Sequence, residues 1–160
     1  MSVALPKVDT SVFADYAKRL EKNAKTETPY AMFYETQSRL CSVLEKKLPL
    51  AKKTRALYEV NDREGLRMLA EQDYNECIER LDAFYNAFRK QWYAVNKTYG
   101  FEVQDARLGG LKRRLESCRE RLLSYVNGEI SEIAELAEPL LPLDDTFITS
   151  WGEMITSNIV

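Results

Sequence analysis

With 160 residues, 45% of them hydrophobic and 30% charged, the chain has the composition of a soluble globular protein with room for one core. Its formal net charge of -2, spread over interspersed acidic and basic residues, offers no single-sign field for nucleic acid or an anionic membrane. The absence of histidine removes Ser-His-Asp and Cys-His triads and any histidine-containing zinc site.

The N-terminus MSVALPKVDT lacks a basic flank followed by an apolar run, and no stretch nears the roughly 18 apolar residues of a membrane span. A soluble, cytoplasmic protein is expected. Residues 1–8 read as a linker. A first helix follows Asp9, Thr10 or Ser11, any of which can cap it; Val12, Phe13, Tyr16, Ala17, Leu20 and Ala24 recur at helical spacing, and it ends between Asn23 and Thr26. The second begins at Pro29 behind Thr28 and runs to Leu57 and Tyr58. Pro49 lies inside it, and because the apolar pattern resumes at once, a kink is expected there rather than a loop.

Asn61 and Glu64 have the spacing of a capping box for a third helix, whose stripe from Leu66 through Cys77, Leu81, Phe84 and Phe88 to Trp92 lasts about eight turns. A fourth helix is predicted from Asp105 or Ala106 to Ala137, with Asp105 as its cap and Gly128 as a local bend, stopped by Pro139 and Pro142. The remaining residues, 140–160, read as an irregular or extended tail packed on the helices. No repeat of 20 to 50 residues is visible, which argues against a solenoid. The expectation is an all-α bundle of about four helices over 9–139, with two long antiparallel members.

Chemistry is sparse in this pattern. Cys41, Cys77 and Cys118 are odd in number, widely spaced and without a C-x-x-C pair, so they read as reduced, largely buried thiols. Glu102 and Asp105 sit beside Arg107, but a cap and an ion pair explain them better than an acid and a base. Lys112, Arg113, Arg114, Arg119 and Arg121 alternate with Glu116 and Glu120, as on a solvated helix face. Phe84, Tyr85, Phe88, Trp92 and Tyr93 are numerous enough for a sugar platform, yet core and interface packing accounts for them first. No catalytic residue, metal ligand or cofactor site is expected.

The segment from Trp92 to Gly110 is unusual for a connector. It places Tyr99, Phe101 and Val103 among Lys97, Glu102, Asp105 and Arg107, then sets Gly109 and Gly110 inside a helix, where each costs about 1 kcal/mol relative to Ala. Such a segment is expected to touch something outside the bundle, with another backbone or bulky side chain close to the glycines.

The order R-x-x-W, N-K-x-x-G-F-E-V-x-D-x-R-L-G-G-L and S-C-R-x-R-L, carried by Arg89, Trp92, Asn96, Lys97, Gly100 to Val103, Asp105, Arg107 to Leu111 and Ser117 to Leu122, resembles the C-terminal helical domain of bacterial exo-β-N-acetylglucosaminidases of glycoside hydrolase family 20, in the streptococcal-type subgroup. Leu40 to Leu44, Asp62 to Leu66 and a tail with Trp151 before Ile155, Asn158 and Val160 extend the likeness over nearly the whole chain. Thr98-Tyr99 departs from the family's Pro-Phe; the ring survives and the rigid turn residue does not.

In that family the chemistry sits on a preceding TIM barrel, where a Glu protonates the leaving group and an adjacent Asp positions the substrate's acetamido group as nucleophile. No segment here matches that Asp-Glu pair. The resemblance therefore implies a non-catalytic domain whose partners are the catalytic barrel of the same polypeptide and a second subunit in a homodimer. The interface it implies comprises Trp92, Asn96, Lys97, Tyr99, Gly100, Phe101, Glu102, Asp105, Arg107, Gly109, Gly110 and Trp151. The alternative is a free-standing helical adaptor using the same exposed loop; a carboxylate enzyme built on Glu102 and Asp105 would need a concave pocket around them.

Overall fold

The computed structural model describes residues 9–139; the predicted linker over 1–8 and the tail over 140–160, Trp151 included, lie outside the described residues. The described chain is helical, with no strand: α1 Ser11–Ala24, α2 Ala31–Glu59, α3 Arg63–Met68, a π-helical stretch Leu69–Tyr74, α4 Asn75–Val95, α5 Phe101–Val126 and a short α6 Ala134–Ala137. From Arg63 to Val95 the helical path is unbroken, so α3, the π stretch and α4 form one central rod. Helix α2 runs antiparallel to it, as Arg80 meets the Ser42 carbonyl while Lys53 meets Asp73. On the rod's other flank, α5 is also antiparallel: Asp82 pairs with Lys112 and Asn75 with Arg119.

The core lies where these three rods meet. Leu66, Ala70, Tyr74, Cys77, Leu81 and Phe84 form the rod's inner stripe, faced by Val43 and Leu50 from α2 and by Leu115, Leu122 and Tyr125 from α5. The steps Leu66 to Ala70 to Tyr74 are four residues each, and they fall across the π stretch, whose i→i+5 bonding widens the turn. Asn75 fits this local rearrangement by donating its side-chain amide to the Glu71 carbonyl at 2.8 Å. Behind the stripe, the Tyr74 hydroxyl meets Thr54 Oγ1 at 3.0 Å, so two buried polar groups satisfy each other.

Several boundaries differ from the sequence expectation. Helix α1 has no buried residue; its apolar side packs along α2 and stays partly wet, so it is an outer layer and adds little to the core. Helix α2 continues through Pro49, as expected. The cap of α3 is Asp62, which accepts from the Gly65 amide at 2.8 Å. Asn61 instead makes the preceding left-handed turn at φ 52 and accepts from the Tyr125 hydroxyl. Helix α5 starts at Phe101 rather than at Asp105, and ends at Val126 rather than at Ala137.

Gly128 is the reason for the early stop. At φ 79 it takes the left-handed position, its amide donates to the Tyr125 carbonyl, and the Glu129 amide donates to the Ser124 carbonyl. This pair of reversed bonds is a Schellman termination, so the glycine ends the helix rather than bending it. The chain then turns back over α2 and α5. Glu138 is already extended in front of Pro139, whose ring disfavours helix in the residue before it.

Candidate docking surface

The connection between α4 and α5 is much shorter than the segment Trp92 to Gly110 suggested, because helix resumes at Phe101. Asn96 leaves α4 in extended conformation, and Gly100 turns the chain at φ 95, a conformation that costs glycine least. Two side chains lock the turn. The Trp92 indole N–H donates to the Lys97 carbonyl at 2.9 Å, and Glu102 Oε2 accepts from the Gly100 amide at 2.8 Å. Glu102 is thereby committed to the helix start, where a negative charge also suits the dipole.

Phe101 explains why α5 begins early. Its side chain is 1% exposed and sits among the rings of Tyr85, Phe88, Trp92 and Tyr93, with centroids 5.4–5.9 Å away. Burying such a ring outweighs the weak local preference for a later start. The aromatics read from the sequence as core and interface packing therefore supply the plug around Phe101, with Tyr93 remaining 46% exposed at its edge. Asp105 lies inside α5 and caps nothing; its Oδ1 accepts from the Tyr85 hydroxyl at 2.7 Å, which pushes the Tyr85 phenol above its ordinary range. A shallow hollow of ≈ 180 Å³ is lined by two carboxylates, Asp105, which accepts from Tyr85, and Asp82, which pairs with Lys112, and Glu102 does not line it. Among the described residues no three His, Cys, Asp or Glu side chains converge in a way that could hold a metal ion.

Around this plug the surface is open. Asn96, Lys97, Tyr99, Glu102, Asp105 and Arg107 are exposed, and Tyr99 is 84% so. Trp92 and Gly100 are half-buried beneath them. Gly109 and Gly110 are exposed in the body of α5, and a Cβ built on either would meet no heavy atom within 4 Å. The close approach expected at the glycines is thus not made by the described residues of this chain.

The fold adds residues that the sequence reading did not group with the hairpin. Thr36 of α2 touches the Ala87 carbonyl of α4, so in this antiparallel pair the start of α2 lies level with the end of α4. Tyr30, 61% exposed, and its ring neighbour Phe33 therefore share one end of the bundle with Tyr93, Val95 and Tyr99. Five large apolar or aromatic side chains left in solvent at one end are more than scattered exposure accounts for. The spacing of any single helix could not reveal them, since they come from two helices and a turn.

The basic cluster on α5 is mostly ion-paired, as its alternation suggested, though largely with other elements: Lys112 with Asp82, Arg121 with Glu135, and Arg113 with Glu116 within the helix. All three cysteines are free; Cys77 is buried and Cys41 and Cys118 are half-buried. Desolvation pushes the Cys77 and Cys41 thiols up, away from the reactive thiolate. No described helix is long and apolar enough to cross a membrane.

No curated protein matches the chain significantly. Residues 5–155 match the family model of the Glycoside Hydrolase 20C C-terminal domain, which is nearly the whole chain and includes both long hairpins described above. The chain therefore belongs to that family and is the C-terminal domain of a family 20 glycoside hydrolase.

Proposed function

We propose that this chain is a non-catalytic accessory domain which braces the TIM-barrel catalytic domain of its parent β-N-acetylhexosaminidase, an enzyme that removes terminal β-linked N-acetylglucosamine. The observation that carries this reading is the exposed aromatic end formed by Tyr30, Phe33, Tyr93, Val95 and Tyr99, with the open glycines Gly109 and Gly110 about two turns further along α5. A domain edge of this kind suits a large, partly apolar neighbour, and in a family defined by its place behind a catalytic domain that neighbour is the barrel. Asn96, Lys97, Glu102 and Arg107 rim the patch and supply polar contacts, while Trp92, Gly100 and Phe101 hold its shape from beneath. The same surface is the candidate for contact with a second subunit. Three unpaired thiols favour a reducing compartment, and so a cytoplasmic parent.

In the full-length enzyme, Tyr99→Ser and Arg107→Ala leave the internal packing of this domain untouched. They are expected to loosen domain docking, seen as faster proteolysis between the domains or a split of one thermal transition into two. Unchanged proteolysis, thermal unfolding and oligomeric state in both variants would refute the docking assignment. The isolated chain is expected to release no chromophore from an aryl N-acetylglucosaminide; turnover by a clean preparation would show that chemistry resides here after all.

A further inference from the structure

The exposed side of α5 carries a second pattern beyond the aromatic end. Arg107, Arg114 and Arg121 recur every seven residues, and all three lie within α5. Seven helical residues make two turns less about 20°, so the three side chains leave the helix in one column with rungs about 10 Å apart. Gly110 and Ser117 fall on the same strip, each three residues after one arginine and four before the next. All five residues are exposed, and a Cβ on Gly110 would meet no described atom within 4 Å. The strip alternates cation and small residue, so a neighbouring backbone can come close between the charged rungs.

The last rung shows what the column accepts. The chain returns over α5 at α6, and Glu135 sets its carboxylate 3.1 Å from Arg121. Arg114 and Arg121 border the groove of ≈ 320 Å³ between α2 and α5, and Arg55 on its far wall is committed to the carbonyls of Glu135, Leu136 and Glu138. Beyond this crossing, Arg114 and Arg107 have no hydrogen-bond or ion-pair partner among the described residues. The carboxylates of α5 itself are directed elsewhere. Glu102 accepts from the Gly100 amide, Asp105 from the Tyr85 hydroxyl and Glu116 from Arg113, while Glu120 lies about 100° around the helix from Arg121.

We infer that Arg107 and Arg114 form a docking track for an acidic edge of the catalytic domain of the same polypeptide, which sets two carboxylates about 10 Å apart on the two arginines and lays its backbone over Gly110 between them. The inference rests on the bracing role proposed above and gives that contact its chemistry. Continuity favours this occupant, since Arg107 already rims the aromatic patch and Arg114 extends the same face of α5 by one rung. Charge favours it as well. A guanidinium fork pairs a carboxylate bidentately, and a row of like charges selects a partner surface of opposite sign.

In the full-length enzyme, Arg114→Lys puts an amine on the track. A water-soluble carbodiimide then joins that amine to a carboxylate only where the two are in ion-pair contact; the amide bond forms and the carbodiimide takes up the lost water as a urea. Tandem mass spectrometry is expected to find the introduced amine joined to an Asp or Glu of the catalytic domain. Arg114→Gln is expected to speed proteolysis between the domains about twofold to fivefold at low salt, the range for one exposed ion pair. That difference vanishes in about 1 M salt, where the Debye length is about 3 Å. No crosslink at all, crosslinks confined to this domain, or crosslinks between two copies in a mixture of light and heavy-isotope enzyme overturn the inference, as does an unchanged proteolysis rate at low salt. Tyr99→Ser decides the bracing role separately. If that variant loosens the domain and Arg114→Gln does not, the arginine track falls and the bracing role stands; if neither does, both fall.

Discussion

Replacing Gly109 and Gly110 together by alanine separates what the fold needs from what docking needs. Both residues lie inside α5, neither has positive φ, and a Cβ at either position meets nothing within 4 Å. No described residue opposes the change sterically, so the helix-propensity gap of about 0.8–1.0 kcal/mol per residue is recovered in full, about 1.5–2 kcal/mol for the pair. With a urea m-value of about 2 kcal/mol/M for a domain of this size, the unfolding midpoint of the 160-residue chain rises by about 0.8–1 M. Circular dichroism and tryptophan fluorescence against urea measure it. An unchanged or lowered midpoint would mean instead that some part of this chain already occupies the space above the glycines, and that they are not free for a partner. If the barrel docks on this surface as proposed, the same double variant is expected to weaken docking in the full-length enzyme, since two methyl groups would then stand at the contact. A gain in the isolated chain joined to a loss in the full enzyme is the signature of glycines kept for contact.

Phe101→Ala removes the ring at the centre of the aromatic plug and is expected to cost about 3–5 kcal/mol, read from the same urea experiment; a loss under 1 kcal/mol would show that the plug is not part of the stable core. Gly128→Ala tests the helix stop by backbone strain, since no described residue lies within 4 Å of its Cβ position, and it should lower stability by about 1–2 kcal/mol because a side chain is forced into the left-handed region. Acid should weaken the contact between α2 and the rod. Burial pushes the Asp73 carboxyl up, but hydrogen bonds and charge from Lys53 and Lys46 outweigh it and leave the group below its ordinary 3.8; the hydrogen bond from Lys46 likewise holds Glu76 below 4.5. Since both folded values are depressed, their stabilisation is present above those ordinary values and is lost as pH falls through the folded ones. The urea midpoint therefore drops below about pH 4.5, and Lys46→Met flattens that drop; an identical acid slope in the variant would count against the network.

How much of this was legible in advance differs from one element to the next. Periodicity placed α1, the body of α2 and the central rod, because a long apolar stripe at helical spacing has few other solutions; α2 itself begins at Ala31 rather than at Pro29, and Thr28 does not cap it. The tertiary structure decided the ends of α5. Phe101 joins the helix early because four rings from α4 bury it, and nothing within the local sequence ranks that burial above a start at Asp105. Gly128 was visible as a weak point, but stop and bend have the same composition, and only the reversed bonds to Tyr125 and Ser124 distinguish them. The π stretch had no sequence signal at all, since its wider turn still keeps the apolar residues on one face.

The same division holds for the docking surface. Composition, periodicity and motif order were enough for an all-α bundle without histidine chemistry, a hairpin richer in aromatics and glycines than a connector requires, and a resemblance that the family match bears out. It could not separate the rings that hold the hairpin together from those left in water, because exposure depends on which helix lies alongside. Only the antiparallel packing of α2 on α4 brought Tyr30 and Phe33 level with Val95 and Tyr99, and only the return of the chain over α2 and α5 outlined a groove ending at Arg114. Spacing along one helix fixes a face; what that face meets is set by residues far away in the chain.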